Sequence, residues 1–342
     1  MAICAVYVIG VKMRFLLSRI SSFNVYVAAV ILFAGSAALI AQDGASEENT
    51  MPEQSEVLKD RPFASPRLKT ILKNGVLRVG MHAEYPPFRI AQACDPSTSP
   101  CGETPPACEV NAGPELYPGI DVEVACDLTR HLGVRLEIKV GSIETLMAMI
   151  QNNEIDVAFG GISSTLERAR YVQFASPYFI TTPAALLSKN RLPNESQSVE
   201  FSRRKLRGIA DLKRLERLVL GVVAGTTTEK LLRDDPTFSK HKIERFNRRS
   251  ELIDAFEKNQ IDAIIADAVF ITALTLEKPG FLVDAIALTQ AYREEHLSPI
   301  VAYGDAEYLF VINFFIKELR RTGRLDALER KYLESDAWVK KE

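Results

Sequence analysis

The chain has 342 residues, of which 47% are hydrophobic and 25% are charged, and its formal net charge is -2. This composition is typical of a globular protein and excludes a disordered or fibrous chain. Because 42 basic residues balance 44 acidic ones and no Lys/Arg-rich block occurs, the sequence lacks the positive charge that nucleic-acid binding requires. A small ligand is therefore the expected partner, and no nucleic acid is expected.

The first 42 residues are typical of an export signal. Arg14 and Arg19 precede an uncharged stretch, residues 20–42, that is rich in Val, Ala, Ile and Leu and ends in small residues. This stretch is also long enough to span a bilayer if it is not cleaved. We therefore expect a periplasmic or extracellular protein that is either released or tethered to the membrane by residues 1–42. Residues 43–65 are polar and acidic, which predicts a flexible leader.

Four cysteines follow the leader. Cys94, Cys101 and Cys108 lie in an irregular insertion rich in Pro, Ser, Thr and Gly (residues 91–118), and Cys126 lies on the helix that follows. Because Cys126 is roughly 200° around that helix from its apolar stripe, we expect it to face away from the stripe and to reach the insertion. In an exported protein these cysteines predict at least one disulfide, with three pairings possible for two bridges. Their spacings lack a CxxC knuckle, so we expect no metal, and no cofactor is indicated.

The rest of the chain alternates strand-like and helix-like segments. The predicted strands are 135–140, 156–159, 184–188, 218–223, 263–266 and 300–303. The predicted helices lie near 143–152, 226–234, 248–258 and 305–332. This order is typical of parallel sheets with helices on their faces. Two copies of one local pattern, LMAMIQNNEIDVAFGGIS and LIDAFEKNQIDAIIADAV, predict two similar α/β lobes.

Four ordered segments carry a resemblance to a known family: GIDVEVACDLTRHLG, TLMAMIQNNEIDVAFGGISSTLERARYVQFASPYF, LGVVAGTTTEKL and QIDAIIADAVF. They resemble the extracellular amino-acid-binding proteins of ABC importers, the family-3 solute-binding proteins. The resemblance implies a two-lobed α/β type II periplasmic-binding fold, with a mixed or parallel sheet flanked by helices in each lobe. It implies that lobe 1 spans 66–178 and 298–342, that lobe 2 spans 183–292, and that two hinge strands lie at 179–182 and 293–297. It also implies a monomer that delivers its ligand to an ABC importer permease.

The residues of the first lobe have chemistry that suits an amino-acid ligand. A free amino acid presents a carboxylate and an ammonium, so a buried site needs a bidentate cation, N–H or hydroxyl donors, and an anion. Arg168 supplies a planar fork, and Gly161 and Ser163 supply a close-approaching backbone and a hydroxyl. The alternative for Arg168 is a solvated helix residue.

The second lobe offers a helix start and a carboxylate. Thr226 and Thr227 open a helix after a buried strand, where free N–H groups and the helix dipole favour a carboxylate. The resemblance implies that Thr226 donates to the ligand carboxylate, although Thr227 or Thr228 could serve only to cap the helix. It implies that Asp267, at the end of the strand AIIAD, holds the ligand ammonium. The alternative for Asp267 is a cap of the next helix.

The resemblance places His82, Tyr85 and Ile143 around the ligand side chain. His82 stands where binders of cationic amino acids often carry an acidic residue, so a lysine or arginine ligand would lack its partner. Ile143 replaces the aromatic residue that usually stacks over the ligand, which leaves Tyr85 as the nearest aromatic wall. We therefore expect a neutral or acidic ligand. The alternative for His82 is a loop histidine that does not touch the ligand.

The sequence contains no GxSxG, HExxH, GxxxxGK or GxGxxG motif, and a binding protein is expected rather than an enzyme. The alternative is an enzyme of the cyclohexadienyl dehydratase type, a carbon–oxygen lyase on the same fold, in which Glu229 with Asp267 or His82 would supply a general acid. A membrane-anchored sensory domain is a third possibility. Asp121 is expected to act as an N-cap or a partner of the helix dipole, not as a ligand contact.

Overall fold

The computed structural model describes residues 65–82, 85–90, 118–192 and 206–339. The predicted export signal, the leader up to residue 64 and the cysteines Cys94, Cys101 and Cys108 lie outside these residues. Within the described ranges, every helix is too short or too polar to cross a bilayer. Ser65 caps the first helix, because its hydroxyl accepts a hydrogen bond from the N–H of Leu68 at 2.9 Å.

Strands and helices alternate as the sequence predicts. The strands are β1 (Val76–His82), β2 (Arg135–Gly141), β3 (Val157–Ala158), β4 (Gln173–Phe174), β5 (Phe179–Thr181), β6 (Pro183–Ser188), β7 (Val219–Val223), β8 (Lys242–Phe246), β9 (Ala263–Asp267), β10 (Ala285–Leu288), β11 (Glu295–Leu297) and β12 (Ile300–Val301). The α-helices are α1 (Pro66–Asn74), α2 (Ile120–Leu132), α3 (Ile143–Gln151), α4 (Thr227–Asp234), α5 (Arg249–Glu257), α6 (Ala268–Glu277), α7 (Phe281–Asp284), α8 (Ala306–Arg321) and α9 (Arg324–Leu333). The six strands and the first three helices predicted after the cysteine-bearing insertion are confirmed to within two residues at each end.

Within the part of the chain that the structure describes, the strands form two five-stranded mixed sheets and one two-stranded sheet. In the first sheet, ordered β2-β1-β3-β12-β4, β1 runs parallel to β2 and β3, while β12 runs antiparallel to β3 and β4. In the second sheet, ordered β10-β6-β9-β7-β8, β7 runs parallel to β8 and β9, and β6 runs antiparallel to β9 and β10. These sheets, with the helices between their strands, confirm the predicted α/β class.

The chain passes between the two large sheets twice. β5 carries it from the first sheet to the second, and β11 carries it back to β12, which completes the first sheet. β5 and β11 pair with each other as an antiparallel ribbon, so both crossings lie side by side. The exact limits of the two lobes and of the hinge strands stay a prediction.

The interior strands of both sheets are buried by apolar side chains. Leu77, Val79 and Met81 of β1 have no exposed surface, and every residue of β6 is buried. A strand buried on both faces reads as a continuous apolar run, which is why PAALLS is evident in the sequence. β8 is the edge strand of the second sheet and is only half-buried, with charged residues along it. Its sequence KIERF therefore gave no strand signal.

The prediction of one helix over 305–332 is wrong, because the segment forms the two helices α8 and α9. Thr322 ends α8, and Gly323, with φ 72°, precedes α9. Glycine adopts this left-handed backbone conformation with little strain, and the conformation ends the helix. The continuous apolar spacing hid the break because both helices pack apolar side chains into one core. The bounds of α6, the helix that follows Asp267, were not predicted for a related reason, since burial of most of its length leaves no polar face to reveal a period.

The helix α2 is buried at Cys126 as well as along its predicted apolar stripe. Cys126 has no exposed surface and lies in the same apolar cluster as Val124 and Leu128 of the predicted stripe. The helix α2 packs on β1 and β2 and also against α9, so it is buried on more than one face and has no outward side at Cys126. A disulfide with the insertion stays a prediction, because the other three cysteines lie outside the described residues.

Candidate functional site

Eight of the nine predicted site residues line one small cavity between the two large sheets. Tyr85, Ile143, Gly161, Ser163 and Arg168 line the cavity from the side of the first sheet, called the first-sheet side. Thr226, Thr227 and Asp267 line it from the side of the second sheet, called the second-sheet side. The cavity has a volume of ≈ 30 Å³. This volume holds water rather than an amino acid, since small-molecule pockets span about 300 to 1,000 Å³. The two sides are therefore closed on each other.

Arg168 bridges the two sides of this cavity. Its Nη1 donates to the carbonyl oxygen of Ser163 at 3.0 Å, and its Nη2 donates across the cleft to the carbonyl oxygen of Gly225 at 3.2 Å. Burial lowers the pKa of Arg168, while the charges of Glu144 and Glu295 act in the opposite direction. The half-buried guanidinium lines the cavity, so the alternative of a solvated helix residue is wrong. Its role as a ligand contact stays a prediction.

Gly161 lets the aromatic ring of Tyr85 approach the backbone at the end of the first-sheet strands. Gly161 has φ 59°, and a Cβ atom built on it would lie 2.3 Å from Cε1 of Tyr85. Its N–H donates to the hydroxyl of Tyr178 at 3.2 Å. Tyr178 in turn donates to Oδ1 of Asp121 at 2.6 Å. A side chain at residue 161 would therefore displace the Tyr85 ring and disturb this buried chain of hydrogen bonds.

Asp121 supports the site from behind and does not line the cavity. It lies in the first turn of α2, whose N-cap residue is Gly119, and it is fully buried. Burial raises the pKa of Asp121 to about 8, although the hydrogen bond from Tyr178 acts to lower it. The carboxyl group is therefore a positioning group for Tyr178 and, through it, for Gly161.

Thr226 rather than Thr227 or Thr228 caps the helix on the second-sheet side. Its hydroxyl accepts from the N–H of Glu229 at 3.2 Å and donates to the carbonyl oxygen of Val223 at 2.7 Å. The alternative that gave the cap to Thr227 or Thr228 is wrong. Because the Thr226 hydroxyl is used in the cap, its remaining contribution to a ligand would come through the start of α4.

Glu295 is a site residue that sequence reasoning missed. Its Oε2 accepts from the hydroxyl of Ser163 and from the hydroxyl of Thr227, each at 2.8 Å, and so joins the two sides of the cleft. Glu295 opens β11, one of the two crossing strands. The only signal in the sequence is an acidic pair, Glu294 and Glu295, within a predicted hinge strand. Its contact with Thr227 depends on how the two sheets meet.

Asp267 ends β9 at the cleft, and its side chain makes no cap hydrogen bond to α6. Asp267 thus occupies the N-cap position of α6, but its side chain does not serve as the cap. Burial, and then the charge of Glu295, raise the pKa of Asp267 to about 8. A cation placed beside Asp267 would favour its ionised form and act against this shift. The cavity is thus lined by the guanidinium groups of Arg168 and Arg249 and by the carboxyl group of Asp267, with the charge of Glu295 nearby.

His82 is the one predicted site residue that does not line the small cavity. It lines a neighbouring cavity of ≈ 340 Å³ together with Ile143, Glu144, Arg248 and Arg249. The His82 ring lies 5.7 Å from that of Tyr85 between centroids. The histidine is therefore beside the site, and a direct ligand contact stays a prediction.

Arg249 and Phe270 are two further residues that sequence reasoning missed. The guanidinium carbon of Arg249 lies 3.4 Å from the centroid of the Tyr85 ring and 5.2 Å from that of Phe270. Phe270 thus adds a second aromatic side chain to the wall that the sequence assigned to Tyr85 alone. Nothing in the sequence marks either residue, because both come from the second-sheet side and meet Tyr85 only in the folded chain.

Glu229, the proposed general acid of the alternative dehydratase-type enzyme, does not line the small cavity with Asp267. Its Oε2 accepts from the N–H of Gly225 at 2.8 Å, and its Oε1 pairs with Arg245 at 2.8 Å. Glu229 lines a different cavity and not the small one. Among the described residues, no group of three His, Cys, Asp or Glu side chains is arranged to hold a metal ion.

Comparison with known proteins gives a family match over most of the chain. The sequence profile of the bacterial extracellular solute-binding proteins, family 3, matches residues 101–335. The chain is 27% identical over 282 residues to the L-cystine-binding protein TcyJ of Escherichia coli (strain K12), a match that covers 79% of this chain and 86% of that protein. It is 34% identical over 125 residues to the cyclohexadienyl dehydratase of Pseudomonas aeruginosa, but this match covers only 36% of the chain and 39% of that enzyme.

The fold is also found in solved structures. The ancestral amino acid-binding protein AncCDT-1, a precursor of cyclohexadienyl dehydratase, matches with a TM-score of 0.59 at 24% identity, covering 79% of this chain and 100% of that chain. At this identity the likeness concerns the fold alone. It confirms the predicted two-lobed periplasmic-binding fold.

Proposed function

The chain belongs to the bacterial extracellular solute-binding proteins, family 3, and from that membership we propose that it captures an amino-acid-like ligand between its two large sheets and delivers it to an ABC importer. One observation carries the proposal: Arg168 and the carboxyl group of Asp267 line the same closed cavity, and the charge of Glu295 lies close to Asp267. A zwitterion with a carboxylate and an ammonium has the charges that match this pair.

In this proposal Arg168 holds the α-carboxylate of the ligand. The N–H groups at the start of α4 lie on the same cavity, at the positive end of the helix dipole, and add donors for the carboxylate. Asp267 holds the α-ammonium, with Glu295 as a second carboxylate beside it. Gly161 and Ser163 complete the first-sheet side, and Tyr85 and Ile143 line the path of the ligand side chain.

Ligand entry requires the two sides to separate, because a cavity of ≈ 30 Å³ cannot admit an amino acid. We propose that β5 and β11 form the hinge, since both crossings between the large sheets lie in this ribbon. Opening would break the contact of Arg168 with Gly225 and the salt bridge between Lys230 and Glu167, whose atoms lie 2.5 Å apart. Bound ligand would add contacts from both sides of the cleft and so favour the closed form.

The same proposal includes a monomeric, exported protein whose partner is the permease of the importer. An anchor formed by residues 1–42 is its one contact with a membrane if that segment is not cleaved. The proposal also includes at least one disulfide among the cysteines of residues 94–126. The full burial of Cys126 on α2 supports a structural cysteine.

A thermal-shift screen of the full exported protein against the twenty common amino acids, prephenate and arogenate tests the proposal. A ligand at a hundred times its Kd should raise the free energy of unfolding by about 2.7 kcal/mol. Small-angle scattering should then show a more compact protein with that ligand than without it. If none of the amino acids stabilises the protein, the proposal is contradicted. Turnover of prephenate or arogenate would instead indicate a dehydratase.

A further inference from the structure

Arg249 lies where the small cavity meets its larger neighbour. The cavity of ≈ 30 Å³ and the cavity of ≈ 340 Å³ share four lining residues, Ile143, Val223, Thr226 and Arg249. A ligand whose α-carboxylate and α-ammonium occupied the smaller cavity could extend its side chain past Arg249 into the larger one.

The position of Arg249 disfavours a ligand with a cationic side chain. Its guanidinium carbon is 3.4 Å from the centroid of the Tyr85 ring, which is the distance of direct stacking. A lysine or arginine ligand would place its own cation on the same aromatic face. Because Arg249 already lies over this face, a cationic side chain would meet both a blocked surface and a like charge.

The charges around the larger cavity point the same way. Among the residues that the structure describes, its lining carries two guanidinium groups, Arg248 and Arg249, and the imidazole of His82, against the carboxylate of Glu144. A guanidinium that stacks by its face directs its N–H donors sideways, in the plane that matches a carboxylate. The chamber therefore suits a ligand side chain that ends in an anion.

We propose that Arg249 determines the specificity of this site by binding a second carboxylate, on the side chain of the ligand, so that the ligand is an acidic amino acid. This inference rests on the proposed function, because it uses the places assigned there to the α-carboxylate and α-ammonium. In this inference Arg249, the first residue of α5, is the residue that recognises the side chain of the ligand.

Calorimetric titration tests the inference with two matched pairs of ligands, glutamate with glutamine and aspartate with asparagine. Each pair differs in charge and hardly in size. The wild-type protein should bind at least one acid about ten to a hundred times more tightly than its amide, the range expected of a desolvated charge pair. Arginine and lysine should bind more weakly than either amide.

Arg249→Gln should bring the acid-to-amide ratio of Kd values to within about threefold, since the second carboxylate loses its charged partner. Arg249→Lys should give an intermediate ratio, because an ammonium keeps the charge without the fork. The matched control is Arg217→Gln, which removes the same charge from an exposed residue outside the cavities described here. This control should keep the wild-type ratio. Circular dichroism checks that each variant is folded. If Arg249→Gln does not fold, the comparison is made with Arg249→Lys alone.

Three results would overturn the inference. If the wild-type protein binds an amide or a cationic amino acid as tightly as any acid, Arg249 does not select an anionic side chain, while the proposed function stands. If both Arg249 variants keep the wild-type ratio, another residue reads the side chain. If no amino acid binds at all, the proposed function falls and the inference falls with it.

Discussion

Asp121 and Asp267 are carboxyl groups from opposite sides of the cleft, and burial raises the pKa of each to about 8. Their surroundings differ. Asp121 lies inside the first-sheet side and accepts a hydrogen bond from Tyr178. Asp267 lines the small cavity, with the charge of Glu295 nearby. A raised pKa therefore reports burial in both cases, and only what the group faces separates a supporting residue from a candidate ligand contact.

This comparison predicts that changes on the cavity alter binding, whereas changes behind it alter stability. The largest effect is expected at Arg168. Arg168→Ala should weaken ligand binding by about 2 to 5 kcal/mol, because the ligand carboxylate would be buried without its partner. Its effect on unfolding should be much smaller. Calorimetric titration and urea unfolding measure the two effects separately.

Two further variants sharpen the result at Arg168. Arg168→Lys should recover only part of the lost affinity, since an ammonium makes no bidentate contact. Arg170→Ala, which changes an exposed arginine on the same turn, should leave both binding and unfolding close to wild type. Affinity within a few-fold of wild type in Arg168→Ala would mean that the carboxylate site is misplaced.

Asp121 should show its effect in the pH dependence of stability. Its folded pKa lies above the unfolded value, so its contribution to stability is full below about pH 4, falls as the pH rises, and is lost above about pH 8. Between pH 5 and 7 this loss amounts to about 2 to 3 kcal/mol for one proton. Asp121→Asn is neutral at every pH and keeps an acceptor for Tyr178, so it should abolish this loss.

Urea unfolding at pH 5, 6 and 7 measures the effect of Asp121→Asn. The control is Asp326→Asn, an exposed residue in the first turn of α9, which should keep the wild-type slope. Equal slopes in wild type and Asp121→Asn would contradict the raised pKa of Asp121.

Asp267 should instead show its effect in the pH dependence of binding. A ligand ammonium needs the ionised carboxylate, so below about pH 8 binding must release a proton from Asp267. Affinity should therefore rise between pH 6 and 8, by up to about 1.4 kcal/mol per pH unit. Asp267→Asn should weaken an amino acid by about 1.5 to 3 kcal/mol and remove this pH dependence.

The deaminated analogue of the same ligand separates the two halves of the site. It keeps the carboxylate but lacks the ammonium, so Asp267→Asn should affect it far less than the amino acid. Calorimetry in two buffers of different ionisation enthalpy should also detect the released proton for wild type alone. Equal losses for the amino acid and its analogue would argue against an ammonium at Asp267.

The smallest effect is expected at Glu295. Glu295→Gln keeps an oxygen for Ser163 and Thr227 but removes a charge beside Asp267, so binding should weaken by about 0.5 to 1.5 kcal/mol. The pH at which affinity levels off should also fall, because the charge of Glu295 helps to raise the pKa of Asp267. Glu294→Gln, at an exposed neighbouring carboxylate, is the control. An unchanged pH profile in Glu295→Gln would show that the two carboxyl groups do not interact.

The sequence predicted most of the fold because the local pattern of buried strands and amphipathic helices is strong. The apolar run of β6 and the repeated helix-turn-strand units are legible without any tertiary contact. The sequence predicted no bounds where burial on several faces or an exposed edge erased the period, as at α6 and β8.

The sequence by itself determined the residues that lie at strand ends and helix starts, such as Ser163, Thr226 and Asp267, because their local chemistry marks those positions. Only the tertiary structure decided which distant residues join them. Glu295 meets Thr227, and Arg249 meets Tyr85, through the packing of the two sheets across the cleft. Tertiary structure also decided the ionisation of Asp121 and Asp267, because a pKa shift follows from burial and nearby charge, neither of which is encoded in the neighbouring sequence.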